Sequence, residues 1–153
     1  LNSLLQSALE HTVNVKLLPR TTLQVTAHEM QTDGSMCAVA LCAAGMAALD
    51  SGVPMRTPFC DVQVCRVDGQ LIVNAASRTE EKADASFLFA MSTTVQEDSF
   101  TLPSPIVVSS HSAGSFTVDE WLLARNLAGE ASKEIFIFFK ESLQRKYTVE
   151  SIA

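Results

Sequence analysis

A chain of 153 residues, 47% of them apolar, is long enough for one domain with a substantial core. Its formal net charge of −6 argues against general binding of nucleic acid through a basic surface, while leaving room for a local basic patch. No apolar run approaches the roughly 20 residues of a membrane-spanning helix, and residues 1–9 lack the charged region and cleavage pattern of a signal peptide, so no membrane contact is expected.

Residues 1–14 carry Leu1, Leu4, Leu5, Ala8, Leu9 and Val13 at helical spacing, and Pro19 closes that segment. In 21–31 (TTLQVTAHEMQ), Leu23, Val25 and Ala27 alternate with Thr22, Gln24 and Thr26, which predicts a strand. Thr32, Asp33 and Gly34 turn the chain. Ser35 is placed to cap a helix running to about Asp50, ended by Gly52 and Pro54. That helix (MCAVALCAAGMAALD) is almost free of charge, so it is expected to be covered on all sides. A Gly-containing turn in front of a helix also has the form of an anion site.

Residues 59–67 predict a second strand, and Asp68-Gly69 is a strong hairpin signal returning a third strand over 70–75. A polar connection follows over 77–83, then a strand over 84–95 with the cluster Phe87-Leu88-Phe89-Ala90-Met91. Residues 96–105 predict a loop with two prolines, 106–110 a short strand, and 112–115 a loop. Thr117 and Glu120 have capping-box spacing, and Phe116 with Trp121 has that of a hydrophobic staple. The helix they start is expected to reach about Lys146, weakened locally by Gly129. Five consecutive apolar residues, Ile135 to Phe139, point all round such a helix. One part can face the domain's own sheet; the rest needs a second layer or another chain. The sum is an α+β domain of mostly antiparallel strands with two substantial helices.

Chemistry-bearing residues are sparse. Cys37 and Cys42, like Cys60 and Cys65, are spaced C-x4-C, which is not zinc spacing, and no histidine stands by to complete a ligand set. They read as small buried hydrophobes in a reducing compartment, with Cys60 and Cys65 on opposite faces of their strand. His11, His28 and His111 carry no motif. Ser109, Ser110 and Ser112 flank His111 without the G-x-S-x-G elbow of a hydrolase. Glu80, Glu81 and Asp84 are clustered acids that could hold Mg²⁺ but read more simply as a solvated turn. Lys140, Arg145 and Lys146 sit where cations complement a helix dipole, and would also suit a phosphate backbone. The residues alone describe a soluble intracellular α+β domain working in a complex.

The order of motifs carries more. LLPRTTLQV (17–25), then DGS and a small-residue helix ending AALDSGVPM (47–55), then FCDVQVCRVDGQLIV (59–73), resembles the RNase PH family. The ending FFKESLQRKY (138–147) is similar to that of an RNase-PH-like subunit of the eukaryotic RNA exosome core. The resemblance spans roughly residues 1–147, leaving 148–153 as a tail. It implies an RNase PH-like βα sandwich (ribosomal protein S5 domain 2-like), here without the N-terminal strands that longer members place in front. Such a chain would expose sheet edges and apolar helix faces.

Active family members hold phosphate in the turn before the helix with an Arg flanked by Thr or Ser. Here the matching turn reads Gly34, Ser35, Met36, Cys37, so Cys37 stands where that Arg is expected and the bidentate phosphate partner is gone. Active members also carry two acids about ten residues apart after the hairpin. Here those places hold Asn74 and Asp84, and only Asp84 is an acid. The resemblance with these departures implies a non-catalytic ring subunit without cofactor or metal, supporting 3′→5′ RNA processing and degradation. Its implied partners are other RNase-PH-like subunits, cap subunits with S1 and KH domains, and RNA. Its implied locations are nucleus, nucleolus and cytoplasm. Two other expectations stand beside it: a phosphate-dependent exoribonuclease using Asp84 with groups from a paired subunit, and a free homodimer contacting nucleic acid through Lys140, Arg145 and Lys146.

Overall fold

The computed structural model describes residues 2–93 and 105–150. Helix α1 (Asn2–Thr12) leads through a 3₁₀ turn at Val15–Leu17 into an irregular stretch, then helix α2 (Met36–Asp50). Strands β1 (Phe59–Val67) and β2 (Gln70–Val73) follow, then a one-turn helix α3 (Ser77–Glu80), strand β3 (Ala85–Ser92), strand β4 (Ile106–Gly114) and the long helix α4 (Val118–Glu150). The four strands form one antiparallel sheet in the order β2-β1-β3-β4. Asp68 and Gly69 both have positive φ, 50° and 75°, which is the turn type that matches strand twist in a two-residue hairpin. Val67 and Gln70 pair on either side of it.

Period-two alternation sorts β1 into two faces. Cys60, Val62 and Val64 join Ala85, Phe87, Phe89 and Met91 of β3 under Ala124, Ala128, Phe136 and Phe139 of α4, forming the main core. On the other face, Phe59 and Ala90 meet Ala8 of α1, and Leu88 meets Ala38 and Leu41 of α2. The capping box at α4 forms as its spacing predicts. The Thr117 N–H donates to Glu120 Oε2 at 2.7 Å, and the Glu120 N–H donates to Thr117 Oγ1 at 3.3 Å. The two staple aromatics each meet a β3 phenylalanine edge-on, Phe116 against Phe87 at 4.9 Å and Trp121 against Phe89 at 5.5 Å.

Helix α2 has a different task. Strand β2 pairs only with the stretch from Val64 to Val67, so among the described residues the first half of β1 has no strand on that side. Helix α2 lies along it. The Asp61 N–H donates to Cys42 Sγ at 3.2 Å, and the Cys42 thiol donates back to the Asp61 carbonyl at 3.1 Å. A Cβ on Gly45 would stand 2.5 Å from the Phe59 carbonyl oxygen. Only a helix of small residues can approach a strand edge this closely, which accounts for CAAG in its middle.

Several expectations are corrected. Helix α2 is not covered on all sides: Met36, Val39, Ala43 and Ala47 are not buried, and Met36 and Val39 are exposed on its outer face. Residues 21–31 form no strand. Every residue there is exposed except the half-buried Val25, and no ladder partner reaches them among the described residues; alternation without a neighbouring strand leaves extended backbone unpaired. Strand β2 ends at Val73, because Asn74 turns to φ 48° and its side chain continues the pairing, accepting from the Gln63 N–H at 3.3 Å. The polar connection contains α3. Strand β4 continues through the residues expected as a loop, to Gly114. Helix α4 passes Lys146 to Glu150, so 148–150 are helical rather than tail, and 151–153 lie outside the described residues. The loop expected over 96–105 falls outside them too, apart from Pro105.

Candidate functional site

The turn before α2 is built by close backbone contact. Gly34 has φ 90°, and a Cβ there would stand 2.4 Å from the Ala75 carbonyl oxygen and 2.6 Å from the Ser77 nitrogen. The Ser77 N–H donates to the Asp33 carbonyl at 3.1 Å, which fastens the turn to the start of α3. Ser35 occupies the cap position but in the left-handed region, φ 51°, and its side chain makes no cap hydrogen bond. Its hydroxyl instead donates to the Ala75 carbonyl at 3.3 Å. This corrects the expected Ser35 cap: the hydroxyl is drawn across to a residue just beyond β2.

The anion position at the head of α2 is filled from within the chain. The Ser35 N–H donates to Glu80 Oε2 at 2.8 Å, and Gln63 Nε2 donates to Glu80 Oε1 at 2.5 Å. Gln63 comes from β1, where it is buried, and also donates to Cys65 Sγ at 3.5 Å. A carboxylate, negative and carrying free lone pairs, is what the positive end of a helix favours. Glu80 thus stands as an internal anion in a turn of anion-binding form.

The other candidates make separate contacts, except Asn74, which bonds to Gln63 of this group. The half-buried Cys37 packs against the apolar group of Ala38, Leu41 and Leu88. Asn74 is tied to Gln63, its N–H donating to the Gln63 carbonyl at 2.8 Å. Asp84 lies just before β3, its N–H donating to the Arg66 carbonyl at 2.9 Å. His11, His28 and His111 are exposed on α1, the irregular stretch and β4. Among the described residues no group of His, Cys, Asp and Glu side chains is arranged to hold a metal ion. All four cysteines are free thiols. Burial pushes the Cys42 thiol up to about 11 and raises those of Cys60 and Cys65, so none of these three is a ready nucleophile.

The three basic residues near the end of α4 do not form one patch. At 100° per residue, Lys140, Arg145 and Lys146 point to three different sides. Lys146 reaches Asp50 at the end of α2, 2.7 Å away. Lys140 and Arg145 are exposed.

Two residues of this region have surroundings that local pattern does not give. Glu80 reads in the sequence as a solvated acid, yet its partners are contributed by segments 45 and 17 residues away. Asp61 is 2% exposed, and neither carboxylate oxygen has a hydrogen-bond partner among the described residues. Burial raises its pKa to about 7. A charged type inside the apolar alternation FCDVQVC is the signal that could have marked it.

The fold is that of an RNase PH-type domain, and the chain belongs to the RNase PH family. The model of the 3′ exoribonuclease family, domain 1, matches residues 1–54. Over 150 residues the chain is 35% identical to the exosome complex component RRP46 homolog of Caenorhabditis elegans, covering 98% of this chain and 67% of that protein. Among solved structures, C. elegans cell-death-related nuclease 5 (CRN-5) is similar at TM-score 0.77 and 32% identity, over 93% of this chain and 73% of that one. Rice (Oryza sativa) Rrp46 shares the fold at TM-score 0.67 and 15% identity, over 92% of this chain and 62% of that one. The chain thus spans two thirds or so of these relatives.

Proposed function

We propose that this chain is a non-catalytic structural subunit of an RNA exosome ring, supporting 3′→5′ RNA processing and degradation. Its similarity to the nematode RRP46 homolog supports the assembly. The observation that carries the non-catalytic part is Glu80. Phosphorolysis uses inorganic phosphate as the nucleophile, and phosphate needs the donors at the head of α2. Here the Ser35 N–H is taken by a carboxylate, whose charge repels a second anion. Cys37 replaces the expected Arg, and Asn74 replaces one acid. On this reading the partners are other RNase-PH-like subunits, S1 and KH cap subunits, and RNA, and the protein resides in nucleus, nucleolus and cytoplasm.

The test is an RNA phosphorolysis assay on the assembled complex. Asp84→Asn and Cys37→Ala in this subunit should leave phosphate-dependent release of nucleoside diphosphates unchanged. Loss of that release with Asp84→Asn would replace this reading by the exoribonuclease one, which the remaining acid Asp84 and the similarity to cell-death-related nuclease 5 favour.

A further inference from the structure

Asp61 shares a face of β1 with Phe59 and Gln63, away from the main core under α4. The strand register sets Asp61 beside Ala90 of β3 and Gln63 beside Leu88. Ala90 packs on Ala8 of α1, and Leu88 packs on Ala38 and Leu41 of α2. The Asp61 carboxyl therefore lies beneath the junction of the two helices, with neither oxygen partnered among the described residues. No Lys, Arg or His is buried among the described residues. The titratable groups nearest to Asp61 are thiols, Cys42 and Cys37 of α2 and Cys60 and Cys65 of β1. Glu10 and His11 of α1 and His111 of β4 are exposed, β3 brings none, and Glu80 of α3 is engaged by Gln63.

We propose that the α2–β1 seam is a charge-gated hinge: a neutral Asp61 lets α2 close on the strand edge, and an ionised Asp61 makes the middle of α2 part from it and admit water. A carboxylate charge buried without a partner needs water. The weakest wall around Asp61 is the seam itself, where both of its backbone groups bond to the Cys42 thiol. A thiol is a weak donor and a weak acceptor. The two ends of α2 are held by charged partners, the Ser35 N–H by the Glu80 carboxylate and Asp50 by Lys146. On its other side β1 is paired with β3 from Phe59 to Arg66, so the strand stays in the sheet. Burial raises the Asp61 pKa to about 7, which closes the seam below that pH and opens it above. The Cys42 thiol, pushed up to about 11, stays neutral throughout. Opening leaves the backbone of the first half of β1 as a free edge. The inference stands apart from the ring reading, since it concerns a contact within this chain.

The test is hydrogen exchange of the residue 61 amide in the intact protein and in Asp61→Asn, corrected for the intrinsic effect of pH. In the wild type, protection of this amide should fall about tenfold between about pH 6 and pH 8, as a carboxyl with a closed-state pKa of about 7 and an open-state value of about 4 requires. Asp61→Asn should show no such fall, and the amides of Phe87 and Phe89 should keep their protection in both proteins. Iodoacetamide at about pH 8, followed by peptide mapping, should label Cys42 faster in the wild type than in Asp61→Asn. The Asp61 charge by itself raises the Cys42 pKa and would slow labelling, so the sign separates opening from electrostatics. Should Asp61→Asn not fold, the wild type decides alone, through the protection of the Asp61 amide relative to Phe87 at the two pH values. A constant ratio, an equal loss of protection across β3, or slower labelling of Cys42 in the wild type would overturn the proposal.

Discussion

Helices α2 and α4 both pack on β1, one along its edge and the other across its face. Helix α4 follows a local grammar. Thr117 and Glu120, three residues apart, satisfy each other's amides, and Glu120 also pairs with Arg66 at 2.7 Å. The Thr117 amide, and then Arg66, hold the Glu120 carboxyl below its usual range. The helix then lays a stripe of Ala124, Ala128, Phe136 and Phe139 on the sheet. Helix α2 has no local cap of this kind. Its head is satisfied by a carboxylate 45 residues away, and its flank touches strand backbone at Asp61 as well as the side chain of Leu88. The same need, a negative group at a helix N-terminus, is met locally in one case and by tertiary structure in the other. A local cap survives rearrangement of the fold; a long-range cap exists only when the fold does.

The edge contact is the place to break this contrast most strongly. Gly45→Val drives a branched side chain into the Phe59 carbonyl, and should cost about 4 kcal/mol in urea unfolding, with α2 displaced from β1. A change below about 1 kcal/mol would mean that α2 does not lie against the strand edge. Asp61, on the same seam, should make stability depend on pH. Its folded-state pKa is raised by burial to about 7. The neutral form is therefore favoured in the fold, stability is greatest below the unfolded value of about 4, and it is lost as pH rises through about 7. Between about pH 5 and pH 8 the wild type should lose about 3 kcal/mol relative to Asp61→Asn. Parallel urea midpoints for the two proteins over that range would show that the carboxylate finds water.

Glu80→Ala removes the acceptor for the Ser35 N–H and for Gln63, and should cost about 2 kcal/mol. The amide of Ser35 should then respond to added phosphate or sulfate in a way the wild type does not. An equal response in both proteins would remove Glu80 from its role as internal anion. The smallest effect is expected at the local cap, where Thr117→Ala should cost about 1 kcal/mol and fray only the first turn of α4. If Thr117→Ala destabilised more than Glu80→Ala, the long-range cap would be the weaker of the two.

The legible parts of the chain were those whose partners lie close in sequence. The Asp68-Gly69 hairpin, the Thr117–Glu120 box and the opposed faces of Cys60 and Cys65 all follow from residues within a turn or two of one another. The candidate site was legible only in outline. Gly34 and Ser35 marked a turn of anion-binding form, but the hydroxyl of Ser35 went to Ala75, and the anion proved to be Glu80. Residues 21–31 had the alternation of a strand and still form none, because a strand is defined by its neighbour.

Pattern and composition by themselves determined the positions of α1, α2, α4 and the hairpin, the two faces of β1 and the family resemblance, because each depends on short-range periodicity and on residue types at nearby places. Tertiary structure alone decided that α2 guards a strand edge, that Glu80 closes its turn, and that Asp61 is buried without a partner among the described residues. Those outcomes depend on which distant segments come within hydrogen-bonding distance, about 3 Å, and separations along the chain do not encode that directly.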